Sequence, residues 1–300
     1  GDIMQFQKAE RKKSKLRLAL TGPSGSGKTY GALLVAKGLG GKIAVIDTEK
    51  GSAALYSHLV DFDVLDLEPP YTPERYRQAV KLAVENGYGV VIIDSITHEW
   101  SGSGGCLELN EETARAKYRG NTWSAWNETK ARHRAFIDDL LVCPAHVIVT
   151  MRSKTETAQV EVNGRKQVQK LGMKSEQNDG IEYEFTTVLD LVHDGNFALP
   201  SKDRTGLFPP NSDPFKLSEN IGQNLAKWLE SGKAPPTPQD ILAEFITHCE
   251  KAETLEALQT LFKQAYIALK SEPELQAKAK TAYENRKESL TTKENNDEWN

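Results

Sequence analysis

Three hundred residues are enough for one sizeable domain and a small second one. Hydrophobic residues make up 38% of the chain and charged residues 27%, so the apolar share is low and part of the chain reads as solvated loop or tail. The formal net charge of −4 excludes a whole-molecule electrostatic case for nucleic acid, and any such case must be local.

The basic segment 1–15 leads into the apolar run Leu16-Arg17-Leu18-Ala19-Leu20, read as a first strand. Gly22-Pro23-Ser24-Gly25-Ser26-Gly27-Lys28-Thr29 follows, then a helical stretch from Tyr30 to Leu39. The loop has the form G-x-x-x-x-G-K-[ST], and strand, glycine-rich loop and helix are the context that makes it a phosphate site. Its glycines let successive N–H groups turn inward on phosphate oxygens, and the helix N-terminus adds partial positive charge. Residues Gly22 to Thr29, with Tyr30 beside them, are therefore expected to bind ATP. Lys28 would reach the β- and γ-phosphates and Thr29 would ligate Mg²⁺.

Lys42-Ile43-Ala44-Val45-Ile46-Asp47 reads as the next strand, ending at Thr48-Glu49, and Val64-Leu65-Asp66-Leu67 as a third. The spacing of Tyr76, Val80 and Val84 predicts a helix from Pro73 to Glu85. Val90-Val91-Ile92-Ile93-Asp94 is the strongest strand signal in the chain. An apolar run ending in a carboxylate after a phosphate loop has the Walker B form, so Asp94 would hold the Mg²⁺ or one of its waters. A polar helical stretch to about Leu141 and the strand His146-Val147-Ile148-Val149-Thr150 come next. Asn163-Gly164, flanked by alternating residues, predicts a hairpin. Thr187 to Val192 resumes the sheet, and the region from Phe215 to Glu230 ends in a helix. Residues 234–238 read as a linker, 239–290 as a helical hairpin, and 291–300 as a disordered tail.

Alternating short strands and helices imply a three-layer α/β domain, 16–233, with a mostly parallel sheet and a small C-terminal helical domain. Such sheets bind ligands at the carboxyl ends of their strands. The phosphate loop, Glu49, Asp94 and Thr150 all fall at such ends. Cys106, Cys143 and Cys249 form no C-x-x-C pair, which argues against a disulfide framework or zinc site and fits a reducing cytoplasm. His98, His133 and His146 lack metal-ligand spacing and read as structural or solvent-exposed. No stretch is long and apolar enough for a membrane span and no signal peptide is read, so a cytoplasmic protein without a membrane partner is expected, with Met4 as its natural start.

Several segments resemble known ATPases. Ile46-Asp47-Thr48-Glu49-Lys50-Gly51, with Tyr56 close behind, resembles the second-strand segment of RecA-type ATPases, which implies that Glu49 activates water. Ile93-Asp94-Ser95 is similar to the RecA-type Walker B strand. Ser201-Lys202-Asp203-Arg204-Thr205-Gly206 is similar to the K-x-R-x-G element of DnaB-like and RecA-like ATPases. That resemblance implies that Lys202 and Arg204 reach a neighbouring subunit's γ-phosphate, where such cations are worth about 10³–10⁵ in rate. Thr150-Met151-Arg152 departs from the Gln or Asn sensor usual at this strand end, leaving Arg152 either to sense phosphate or to begin a DNA loop. Phe6-Gln7-Lys8-Ala9 fits the F-x-x-A form by which RecA-like recombinases dock onto a neighbour.

The run from Gly22 to about Leu229 resembles a family of phage-encoded RecA-like ATP-binding proteins associated with single-strand DNA annealing and recombination. The resemblance implies a DNA-stimulated ATPase that forms a homo-oligomeric filament or ring on single-stranded DNA. An annealing module that uses ATP only as an ordering switch, and a ring-shaped translocase or helicase, are the alternatives. The tail resembles the helical appendages of phage recombination proteins and would bind others of that kind. The hairpin window carries Arg152, Lys154, Arg165, Lys166, Lys170 and Lys174 against Glu156 and Glu161, a net charge of +4 in a chain of net −4. A cationic hairpin of this kind would track a phosphate backbone. Trp123 and Trp126, beside Arg119, Lys130, Arg132 and Arg134, would add base stacking.

Overall fold

The computed structural model describes residues 4–192, 197–209, 212–232 and 237–297, and the side chains of 154–162, 166–175 and 294–297 lie outside that description. The chain divides into two compact units, Ser14–Ser231 and a second made of Gly1–Lys13 with Gly232–Asn300. Among the described residues, no helix is long and apolar enough to cross a membrane.

The larger unit is an α/β domain built on one sheet. Its strands are β1 (Arg17–Gly22), β2 (Ile43–Asp47), β3 (Asp63–Asp66), β4 (Val90–Asp94), β5 (His146–Val162), β6 (Arg165–Ser175), β7 (Thr187–Leu191), β8 (Phe197–Asp203) and β9 (Phe215–Lys216). They lie in the order β3-β2-β4-β5-β1-β7-β8-β9, with β6 paired to β5 alone. The pairings from β3 across to β7 are all parallel. β6, β8 and β9 join antiparallel.

The central strands are apolar at nearly every position because helices cover both faces. Successive residues of one strand alternate between two cores. Ile46, Val91, Ile93 and Val149 pack with Tyr76 of α2 (Pro73–Glu85) and Phe136 of α5 (Thr122–Val142). Val45, Val90, Ile92 and Ile148 pack on the other side with Leu33 of α1 (Lys28–Leu39) and Leu225 of α6 (Glu219–Glu230). The short α3 (Thr97–Ser101) follows β4, and α4 (Cys106–Lys117) packs on α5. α2 begins where Thr72 accepts a hydrogen bond from the Arg75 N–H and Pro73 takes the first helical position, both favoured starts. α1 and α6 approach backbone to backbone: a Cβ on Gly222 would lie 2.1 Å from the Val35 carbonyl oxygen.

β3, at one edge of the sheet, is largely exposed. β5 pairs with β1 as far as Arg152 opposite Gly22, then continues beyond the sheet as one arm of a hairpin with β6. The hairpin turns at Asn163 (φ 53°) and Gly164 (φ 75°), the left-handed pair that a two-residue turn demands.

Among the described residues, the second unit holds three helices, α7 (Pro238–Lys251), α8 (Leu255–Ala268) and α9 (Pro273–Asp297), where the sequence suggested a two-helix hairpin. α9 runs to Asp297, so a disordered tail from 291 is not what the described residues show. Ala279 and Leu290 of α9 are buried with Phe245 and Leu258, and that contact secures a stretch whose composition is mostly polar. Residues 234–236 of the expected linker lie outside the described residues. Thr237 and Pro238 instead start α7, with Thr237 and Asp240 forming a reciprocal capping box.

Candidate nucleotide-binding site

β5 lies between β1, which leads into the phosphate loop, and β4, which ends in Asp94. This order gathers the tips of β1, β2, β4 and β5 along one carboxyl edge of the sheet. Gly22 is the last residue of β1 and is buried, whereas Pro23, Ser24 and Gly25 arch over the edge with more exposure. Gly25 (φ 81°) and Gly27 (φ 89°) take left-handed backbone that side chains disfavour. Tyr30 stands half exposed on the first turn of α1, 5.5 Å from the Tyr56 ring.

Lys28 is buried, and its Nζ donates to the Gly22 and Pro23 carbonyls at 2.9 Å each. Burial lowers its pKa, and the nearby charges of Asp94 and Glu49 work against that. The Ser26 hydroxyl is fully buried in the loop and has no hydrogen-bond partner among the described residues. A phosphate oxygen would satisfy it, so the loop fits the group its sequence implies.

Asp94 is buried between two hydroxyls. Thr29 Oγ1 donates to its Oδ2 and Thr150 Oγ1 to its Oδ1, each at 2.7 Å. Burial pushes the Asp94 carboxyl up, against the two hydroxyl hydrogen bonds and with the help of negative Glu49 and Asp47. A buried carboxylate beside a threonine, with no cationic side chain bonded to it among the described residues, is the donor set a divalent cation would stabilise. Thr29 and Asp94 are the residues that would hold it.

Glu49 sits just past β2, with Ser95 Oγ donating to its Oε1 at 2.7 Å and Arg152 donating to its Oε2. Burial pushes this carboxyl up, but the hydrogen bonds from Ser95 and Arg152 outweigh it and leave Glu49 below its ordinary value. Thr48 stitches the two strand tips: its N–H donates to the Asp94 carbonyl at 2.8 Å, and its hydroxyl accepts from the Ser95 N–H at 3.0 Å. The Tyr76 hydroxyl donates to the Ser95 carbonyl at 2.8 Å. His98 lies 4.0 Å from Glu49 and stacks on Tyr71, and burial lowers its pKa. Thr48, Ser95 and His98 carry no role in the sequence reading. The serine directly after the Walker B aspartate and the threonine directly before Glu49 were the available signals.

Lys202 and Arg204 lie elsewhere. β8 runs antiparallel to β7, so Lys202 pairs with Val188 and the Arg204 N–H donates to the Thr186 carbonyl, at the amino end of the parallel strands. The phosphate loop is at the opposite end, on the order of 13 Å away along the strand. Lys202 Nζ donates to the Glu182 and Tyr183 carbonyls at 3.1 and 2.7 Å, and the Arg204 side chain is exposed.

The expected DNA-contacting set divides. Arg152 pairs with Glu49 at this edge of the sheet and also stands where β5 leaves the sheet for the hairpin, so both places open to it in the sequence adjoin it. Arg165 is exposed at the hairpin turn, while the side chains of Lys154, Lys166, Lys170 and Lys174 lie outside the described residues. Trp123 is 84% exposed, but Trp126 stacks on Trp100 at 5.7 Å. Arg132 pairs with Glu74, and Arg134 with Glu184 and Asp138. Those two arginines are therefore engaged with carboxylates.

The fold also gathers Glu99, Cys106 and His133, which their spacing did not suggest. His133 Nδ1 lies 2.8 Å from Glu99 Oε1, the Cys106 thiol donates to Oε1 at 3.1 Å, and Gln177 Nε2 donates to Oε2 at 3.2 Å. Three hydrogen-bonding neighbours satisfy this buried carboxylate, and the cluster ties α3, α4 and α5 together.

A mostly parallel α/β sheet with a phosphate loop, a buried aspartate beside the loop threonine and a glutamate on the adjacent tip defines a P-loop ATPase. Residues 14–212 match the family model described as an AAA domain, and the chain belongs to that family. A search of curated proteins found no match.

Proposed function

We propose that this AAA-domain protein binds ATP with Mg²⁺ and hydrolyses it, as a homo-oligomer acting on single-stranded DNA. The observation that carries the ATPase part is the convergence of Lys28, Thr29, Asp94 and Glu49 on one sheet edge. Lys28 exchanges its loop carbonyls for the β- and γ-phosphates. Thr29 and Asp94 would hold the cation, which would neutralise charge on the phosphates. Glu49, fixed by Ser95, orients the attacking water and accepts its proton.

Oligomerisation is supported by the position of Lys202 and Arg204. They lie too far from their own phosphate loop to assist it, as the delivery to a neighbour implied by the K-x-R-x-G resemblance would require. Phe6, fully exposed, is free to act as a docking side chain. DNA contact is supported by a hairpin that continues β5 beyond the nucleotide edge of the sheet, with Arg165 exposed at its turn. The setting is the phage recombination that the sequence resemblance implies, with the helical tail binding other recombination proteins.

The test is the hydrolysis rate with and without single-stranded DNA for the wild type, Lys28→Ala, Glu49→Gln and Arg204→Ala. Lys28→Ala and Glu49→Gln abolish turnover, and Arg204→Ala lowers it by about 10³-fold or more. Wild-type turnover in Lys28→Ala removes the ATPase reading. Full DNA-stimulated turnover in Arg204→Ala removes delivery in trans. Binding without turnover in the wild type leaves an ordering module.

A further inference from the structure

Glu99, in the first turn of α3, is a fully buried carboxylate. The chain after α3 turns back tightly on it. A Cβ on Gly105 would lie 2.5 Å from the His98 carbonyl oxygen and 2.8 Å from that of Glu99, and this close approach sets Cys106, the first residue of α4, beside the carboxylate. α5 contributes His133, whose ring meets Trp100 edge-on at 5.2 Å. Cys106 Sγ and His133 Nδ1 both close on Glu99 Oε1, at 3.1 and 2.8 Å.

A thiol, an imidazole and a carboxylate are three different metal donors. Here their ligand atoms lie within 4.8 Å of one another, and all three residues are buried. Zn²⁺ bonds of about 2.0 Å to nitrogen and oxygen and 2.3 Å to sulfur put tetrahedral ligands roughly 3.3–3.6 Å apart, so the two contacts on Oε1 need widen by only about 0.5 Å. Charge gives a second argument. Among the described residues no lysine or arginine side chain bonds to Glu99, which faces a thiol, an imidazole and an amide. In the metal-free chain, burial and the Glu99 charge keep the proton on Cys106. Zn²⁺ would displace that proton, and a dication with one carboxylate and one thiolate makes a neutral buried centre. Gln177 Nε2 donates to Glu99 Oε2 at 3.2 Å and to the Ile96 carbonyl at 2.7 Å, the outer support that ligating carboxylates commonly have. His133 also lines a cavity of about 420 Å³ with Asn178 and Asp179, which offers the ion an entry path.

We propose that Glu99, Cys106 and His133 form a Zn²⁺ site, with a water from this cavity as fourth ligand and Gln177 as a positioning residue for the carboxylate. The lack of a C-x-x-C pair is no obstacle, because one cysteine suffices when the fold supplies the other ligands. The ion is structural: it fastens α3, which follows the Walker B strand, to α4 and α5. It takes no part in phosphate chemistry, and the site stands independently of the nucleotide reading.

Metal titration of the full chain tests the site. Stripped with chelator and returned to Zn²⁺, the wild type binds one ion here and melts at a higher temperature with it. Co²⁺ in the same place shows the charge-transfer absorption of a thiolate ligand, which an ion held by Asp94 and Thr29 cannot produce. Cys106→Ser and His133→Gln each weaken Zn²⁺ binding by about 100-fold or more, and Gln177→Ala by about 10–100-fold. A wild type that shows no thiolate absorption with Co²⁺, or unchanged Zn²⁺ affinity in Cys106→Ser or His133→Gln, overturns the site and leaves a closed hydrogen-bonded cluster. Should the variants fail to fold, the wild-type Co²⁺ spectrum alone decides.

Discussion

The Thr29 hydroxyl donates to Asp94 at 2.7 Å across sixty-five residues of sequence. The contact joins the phosphate-loop helix to the Walker B strand and leaves the aspartate buried. That burial costs stability once the carboxyl ionises: a group raised above its ordinary pKa binds more protons folded than unfolded. Stability of the free protein therefore falls as pH rises from the ordinary aspartate value through the raised one. Asp94→Asn abolishes this loss. At neutral pH the variant melts a few degrees higher than the wild type, the difference closes on acidification, and Mg²⁺-dependent nucleotide binding is lost. Thermal melts across pH check it, and a wild type that stays more stable than Asp94→Asn at neutral pH contradicts it.

Glu49 behaves oppositely. Its carboxyl lies below the ordinary value, because the Ser95 and Arg152 hydrogen bonds outweigh burial. It contributes stability above the ordinary glutamate pKa, and this is lost as pH falls through the depressed folded value. Glu49→Gln should flatten that acid limb of the melting curve, and an unchanged limb means the pair adds nothing in solution.

Gly222 is where α1 and α6 touch. A Cβ there would stand 2.1 Å from the Val35 carbonyl oxygen and 2.9 Å from the Gly38 Cα, all backbone. Gly222→Ala should destabilise by about 1–3 kcal/mol in urea unfolding, as overpacking does. Gly89→Ala, whose Cβ would meet only ordinary contacts beginning at 3.7 Å, should cost far less. Equal effects would remove the steric explanation.

Cys106, Cys143 and Cys249 are all buried. Burial pushes the Cys106 thiol far up, and the Glu99 carboxylate beside it adds to the shift. A thiol that stays protonated and covered does not react. The native protein should therefore resist thiol reagents that label all three cysteines in denaturant. Rapid labelling of Cys106 in the folded chain would contradict the packing around Glu99.

The hairpin carries its own test. Arg165→Ala, Lys166→Ala and Lys170→Ala together should weaken single-stranded DNA binding and flatten its salt dependence, by about 0.7 in log–log slope for each phosphate no longer neutralised. Unchanged affinity and slope would move the DNA surface elsewhere.

Local chemistry was legible in the sequence. The phosphate loop, the apolar run ending in Asp94 and the Asn163-Gly164 turn are short patterns whose residues dictate their own backbone. What was not legible depends on distant residues. Arg152 and Glu49 lie 103 positions apart and meet through the sheet order, and Glu99 and His133 lie 34 apart and meet where α3 packs on α5. Gly38 and Gly222 carry no side chain from which a helix contact could be inferred. α9 reads as polar tail because few of its residues are apolar. It folds where Ala279 and Leu290 find a core and Arg286 donates to the Ala252 carbonyl at 2.8 Å.

Calorimetric titration of the purified chain with ATP and Mg²⁺, beside Lys28→Ala, bears most directly on the site. Saturable binding at one site per chain that disappears in Lys28→Ala is the expected result. No binding by the wild type, or equal binding by both proteins, would contradict the assignment of a nucleotide to this sheet edge.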